Sequence, residues 1–196
     1  MRTSTWIPFV AAAVVAAAAF AVTRGAPGGF DARPVNARAI PDVEMLDQHG
    51  KRVRFYEDIV KDKAVVIQFM YTRCDGICPA ATDTLLAARA EMQDRIGKDL
   101  WFVSVSLDER DTPEDLADYA NSRGIGEGWI LLTGATSDVE TLRRALGAYD
   151  PDPAIDAVRS NHSAALVLGN DRLDRWTMAS GLGSASALVR SIRRTL

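Results

Sequence analysis

The segment Ala64-Val65-Val66-Ile67-Gln68-Phe69-Met70 is a nearly unbroken apolar run rich in β-branched side chains. Such a run makes a strand covered on both faces, because a strand with one wet face alternates apolar and polar residues. A strand of this kind needs helices above and below it, and the following sequence supplies them. After Pro79, which suits a first helical position where no N–H partner is needed, Leu85, Ala88, Met92 and Ile96 recur at helical spacing up to Gly97. A strand at Leu100 to Leu107, a helix from Pro113 with Leu116, Tyr119 and Ala120 inward, and a strand at Trp129 to Thr133 come next. Ser137-x-x-Glu140 reads as a capping box opening a helix with Val139, Leu142 and Leu146 as its apolar stripe. At the two ends of this alternating stretch lie hairpins. One turns at Gln48-His49-Gly50-Lys51 between Val43, Met45, Leu46 and Val53, Phe55; the other turns at Gly169-Asn170-Asp171-Arg172 between Ala164 to Leu168 and Leu173 to Met178. A last helix starts near Ser184. The pattern predicts an α/β domain with a mixed central sheet flanked by helices on both faces.

With 196 residues the chain has room for one such domain and an N-terminal appendage. Trp6 to Val22 is apolar, interrupted only by Pro8, preceded by Arg2 and followed by the Gly/Pro-rich stretch Gly25 to Gly29. A run of roughly 17 residues is at the lower limit for a bilayer span, and Ala19-Phe20-Ala21 offers small residues for a signal peptidase. Residues 1–24 are therefore read as an export signal or hydrophobic anchor helix, 25–39 as a linker and 40–196 as the globular domain. Hydrophobic residues at 47% and charged residues at 25% are globular proportions that exclude disorder and a polytopic membrane protein. The net charge is −3, and no basic cluster is interleaved with aromatics, so nucleic acid is excluded as a partner. Arg143-Arg144 and Arg193-Arg194 read as solvated helix faces.

Chemistry concentrates where the apolar strand ends, at Cys74-Asp75-Gly76-Ile77-Cys78-Pro79, which holds the chain's only 2 cysteines. A strand-to-helix junction favours negative charge, because the first helical N–H groups lack partners, so a thiolate forms there more readily. Three residues between the cysteines make a wider loop than a two-residue redox motif, and a wider loop suits a chelate. A structural disulfide closing so short a loop would remove little chain entropy. Two thiolates leave a soft metal under-coordinated, and of the 2 histidines His162, just before the strand at Ala164, is better placed than His49 in its surface hairpin. Met45, Met70, Met92 and Met178 fall at strand and helix spacing and read as core. Within Asp108-Glu109-Arg110-Asp111-Thr112-Pro113, the carboxylates could line the cysteine edge of the sheet, or Asp111 or Thr112 could cap the next helix.

The strand running into Tyr71-Thr72-Arg73-Cys74-x-x-x-Cys78-Pro79, the acidic Asp-Thr-Pro stretch ending at Pro113, and Asn161-His162-Ser163 before a hydrophobic strand resemble the Sco (SenC) family from Pro41 onward. The resemblance implies a thioredoxin-like domain held at a membrane by one N-terminal helix. It implies one copper ion bound by Cys74, Cys78 and His162. The implied partner is a copper-accepting protein, the cytochrome c oxidase subunit with the dinuclear copper site, and the implied location is the periplasmic face of a bacterial inner membrane. Oxidation of the cysteine pair to a disulfide would abolish the site. The chain departs from the family pattern at Asn161, where Asp is common, and in an acidic stretch one residue shorter and lacking a proline; neither departure touches a ligand. The competing expectation is an enzyme, a thiol–disulfide oxidoreductase or thiol peroxidase using the same cysteines. Thioredoxin-type oxidoreductases carry a cis-proline where this chain has Asn161-His162-Ser163, and Pro151 and Pro153 lie too far upstream, which favours metal. A copper or redox sensor that donates no metal is the third reading.

Overall fold

The structure, a computed structural model, describes residues 40–158 and 164–196. The expected N-terminal hydrophobic helix and His162 lie outside the described residues, and among those described no helix is long and apolar enough to cross a membrane.

The apolar run becomes β3 (Ala64–Met70), buried along its whole length as the sequence pattern requires. It sits near the middle of a seven-stranded sheet ordered β2-β1-β5-β4-β3-β6-β7. Helix α1 (Ile77–Ala90) carries the chain from β3 to its parallel neighbour β4 (Leu100–Ser106), and α2 (Pro113–Arg123) carries it on to β5 (Trp129–Thr133), parallel again. A parallel neighbour requires such a crossover, and a helix is the compact way to supply one. The outer strands are antiparallel hairpins: β1 (Glu44–Asp47) with β2 (Arg52–Arg54) beside β5, and β6 (Ala165–Asn170) with β7 (Arg175–Ser180) beside β3.

Alternation along β3 divides the core in two. Val65, Ile67 and Phe69 pack with Val103, Val105, Leu132 and Val167 beneath Val139, Leu142 and Leu146 of α3 (Thr136–Ala145) and its C-terminal turn. Ala64 and Val66 face the opposite way, joining Phe102, Leu131, Leu166 and Leu168 beneath α1, α2 and α5 (Ala185–Thr195). Helices therefore cover both faces, as expected. Each fully buried Val, Leu, Ile or Phe contributes about 1.5–3 kcal/mol of transfer free energy, so these two layers supply the main stabilisation.

Several local expectations are corrected. Helix α1 starts at Ile77, so Pro79 occupies its third position, where the N–H is still one that no helical carbonyl would accept. The helix stops at Ala90, and Met92 and Ile96 reach the second core from a series of turns. Ser137 does not cap α3: the helix begins one residue earlier after Ala135, and Glu140 pairs with Arg143 and Arg144. Arg143 is buried rather than solvated, because Asp156 of the short helix α4 (Pro153–Asp156) reaches it with contacts of 2.5 and 2.6 Å. The β6–β7 turn is a 3-10 turn over Asp171–Leu173, capped by the Asn170 side chain accepting from the Leu173 N–H and closed by Asp174 at φ 46°.

Candidate metal and thiol centre

β3 delivers the chain to the cysteines in a fixed direction, since its last residue, Met70, accepts a 2.7 Å hydrogen bond from the Leu107 N–H of the neighbouring strand end. The backbone then folds into a tight turn in which the Cys74 N–H donates to the Tyr71 carbonyl at 3.2 Å. Gly76 is the residue before α1, which puts Cys78 in the helix's first turn. Neither cysteine is in a disulfide; Cys78 is buried at 1% exposure, while Cys74 is half-exposed. One sulfur is thus held by the helix and the other presented to solvent.

The two thiols differ in acidity. Burial works to raise the Cys74 thiol, but hydrogen bonds with the Cys78 side chain, the Cys78 and Gly76 backbone and the Tyr71 hydroxyl outweigh it and hold Cys74 below the ordinary thiol value. Burial, followed by the neighbouring Cys74 sulfur, pushes Cys78 up to about 12. Burial, and then the hydrogen bond to Cys74, raises Tyr71 as well. Of the pair, the exposed Cys74 sulfur is therefore the one that ionises more readily, and Cys78 holds its proton more tightly.

The acidic stretch satisfies both of its sequence readings. Thr112 caps α2 in a reciprocal capping box with Asp115, and Pro113 takes the first helical position. Asp108 and Asp111 meanwhile lie buried at the sheet edge that carries the cysteines. Asp108 binds Arg110 through the Arg110 N–H and Nε at 3.0 Å and through Nη2 at 2.8 Å. Asp111 accepts from the Thr72 N–H at 2.9 Å, the Thr72 hydroxyl at 2.6 Å and the Ser106 hydroxyl at 2.6 Å. Sequence reasoning gave Tyr71 and Thr72 no role beyond their place in the motif before Cys74, and did not join Asp111 to Thr72, which lies 39 residues away.

Met45, Met70 and Met92 are fully buried and Met178 is half-buried against the first core, as expected of packing residues. His49 is exposed in the β1–β2 turn, its N–H donating to Asp47 at 2.9 Å. With His162 outside the described residues, no group of three or more His, Cys, Asp or Glu side chains among those described could hold a metal ion. The nearby chain is described, however. β6 runs antiparallel to β3 with Gln68 opposite Leu166, so the start of β6 lies at the end of β3 that leads to the cysteines. Ala164 accepts from the Gly181 N–H at 2.7 Å, and a Cβ on Gly181 would lie 2.8 Å from the Ala164 oxygen and 2.9 Å from the Cβ of Ala81. Ala81 is in α1, one turn beyond Cys78.

Comparison with known proteins adds a family to this geometry. Protein sco1 of Schizosaccharomyces pombe is 28% identical over 133 residues, covering 63% of this chain and 48% of that protein, so the chain spans about half the length of this relative. Among solved structures, Arabidopsis thaliana ScoI with copper bound superposes with a TM-score of 0.60 at 22% identity, covering 78% of this chain and 94% of the other. BsSco, described as a member of the Sco family of cytochrome c oxidase assembly proteins with a disulfide switch, superposes at 0.64 with 22% identity, covering 83% and 95%. These likenesses establish the thioredoxin-like fold. The sequence signature of SCO1/SenC matches residues 32–196, and the chain belongs to the SCO1/SenC family.

Proposed function

We propose that this chain is a copper metallochaperone that binds one copper ion through Cys74, Cys78 and His162 and assists assembly of the copper centre of cytochrome c oxidase. The observation that carries the reading is the pair of reduced, hydrogen-bonded thiols at the start of α1, one buried and one half-exposed. Two soft sulfurs and one imidazole suit Cu(I), and a copper-bound relative shares the fold. The third ligand is supported by chain reach: His162 precedes Ala164 by two residues, a span of at most about 7 Å, and Ala164 lies at the cysteine end of β3, against Gly181 and α1.

In this mechanism the copper ion is cargo. Cys74, accessible and already inclined to ionise, captures it first. Cys78 gives up its proton only as the metal arrives, so loading releases protons. The exposed side of the site leaves room for an acceptor's ligands to displace the chain's own, which passes the ion on without a change in its oxidation state. Trp6 to Val22 holds the domain at the periplasmic face of a bacterial inner membrane, or releases it there after cleavage. The unequal thiols also suit a nucleophile and its resolving partner, which keeps thiol–disulfide exchange as the second reading.

Copper titration of the reduced full-length chain and of Cys74→Ser, Cys78→Ser and His162→Ala tests the proposal. The expected result is one tightly bound copper in the wild type and a severe loss in each variant. Normal copper binding by His162→Ala, together with catalytic disulfide reduction by the chain, would establish the oxidoreductase instead. For the client, a deletion strain should lose oxidase activity and regain it with added copper.

A further inference from the structure

Burying a carboxylate is costly unless every acceptor site is used. Asp111 is buried at 2% exposure, and the helix beside it does not explain why, since Thr112 and Asp115 already satisfy the start of α2 between themselves. What Asp111 holds is the turn that carries Cys74. Its oxygens take both donors of Thr72, the backbone N–H at 2.9 Å and the hydroxyl at 2.6 Å, two residues before the cysteine. The Ser106 hydroxyl at the end of β4 fixes the same carboxylate at 2.6 Å, so the turn is pinned to the sheet rather than to another loop. Arg73, the residue between Thr72 and Cys74, brings its guanidinium to 3.5 Å from Asp111 and donates to the Arg110 carbonyl at 3.3 Å. The far side of the turn is closed by the Cys74 N–H on the Tyr71 carbonyl.

We infer that Asp111 is a positioning residue for the thiol centre, holding the Tyr71–Cys74 turn in the shape that brings Cys74 to Cys78. The inference rests on the reading of those cysteines as the working pair. Without Asp111 the Thr72 N–H and hydroxyl lose their acceptor, Arg73 loses its buried counter-charge, and Cys74 moves over a wider range relative to a Cys78 that the helix keeps in place. The entropy of bringing the two sulfurs together, settled in advance in the wild type, would then oppose both metal binding and disulfide formation.

The test uses the full-length chain and two readouts. In the first, the reduced protein is equilibrated with glutathione: one glutathione disulfide oxidises the two thiols to the Cys74–Cys78 disulfide, releasing two reduced glutathiones, and the ratio gives the effective concentration of the pair. Asp111→Ala should lower it about tenfold, with Thr72→Val in between. Asp111→Asn should recover most of the loss, because its amide oxygen can still accept the Thr72 N–H while its NH2 group turns to the hydroxyl. Val65→Ala, a core substitution at the end of β3 away from the cysteines, serves as a stability control and should leave the ratio unchanged. The second readout is copper affinity, expected to fall about tenfold or more in Asp111→Ala. If Asp111→Ala does not fold, Thr72→Val carries the test. An effective concentration within twofold of wild type in both Asp111→Ala and Thr72→Val, or an equal fall in Val65→Ala, overturns the inference. A wild-type chain that binds no copper defeats the proposed function instead, and the glutathione ratio still decides this point.

Discussion

Replacing Asp156 by Asn isolates the ion pair that ties α4 to α3. Both side chains are nearly enclosed, Asp156 at 6% and Arg143 at 9% exposure, so solvent screens the interaction little. Hydrogen bonds from Arg143 outweigh the effect of burial, and the Asp150 N–H and the charges of Arg143 and Arg144 add to them, bringing the carboxyl from 3.8 down to about 2. At about 1.4 kcal/mol for each pH unit, the displacement corresponds to about 2 kcal/mol of stability. A carboxyl lowered on folding contributes fully above its unfolded value near 4, and the contribution disappears as pH falls towards 2. Urea unfolding of wild type and Asp156→Asn under reducing conditions, followed by far-ultraviolet circular dichroism from pH 7 to pH 2, should show a gap of about 2 kcal/mol that holds to about pH 5 and closes near pH 2. Arg143→Met should cost more at neutral pH, about 3 kcal/mol, because the buried carboxylate then keeps only Arg144 and the Asp150 N–H as partners. A gap below about 0.5 kcal/mol at pH 7, or one that is the same at both ends of the range, would refute the reasoning.

Two further outcomes follow from described contacts. In the reduced protein at neutral pH, iodoacetamide should modify Cys74 well before Cys78, since hydrogen bonds lower the first thiol and burial raises the second; mass spectrometry of digested samples checks the order, and equal rates would contradict the asymmetry. Gly169→Ala would put a Cβ 2.1–2.5 Å from the Trp176 ring, so the indole must leave its seat on β6, costing about 1–3 kcal/mol and changing tryptophan emission; a variant with unaltered stability and emission would show that the ring yields freely.

Much of the scaffold was legible because its determinants are local. The run at Ala64–Met70 could only be a doubly covered strand, and all seven residues are buried. Thr112 and Pro113 marked the start of α2, where the capping box forms between residues three apart. Misreadings arose where a distant partner overrode the local pattern. Ser137 looked like a cap, yet the helix had already begun at Thr136; Arg143-Arg144 looked solvated, yet Asp156 draws Arg143 inside.

The same division applies to the centre. By itself the sequence determined that the two cysteines stand together at a strand-to-helix junction, which made them the candidate working pair, since unpartnered helix N–H groups there favour a thiolate. It nominated His162 by position and resemblance. Only the tertiary structure decided that the two thiols are unequal, because acidity depends on burial and on hydrogen bonds with Tyr71 and the helix start. It alone joined Asp111 to Thr72, since a carboxylate's partners are chosen by which strand ends the sheet brings side by side, and no spacing along the chain records that.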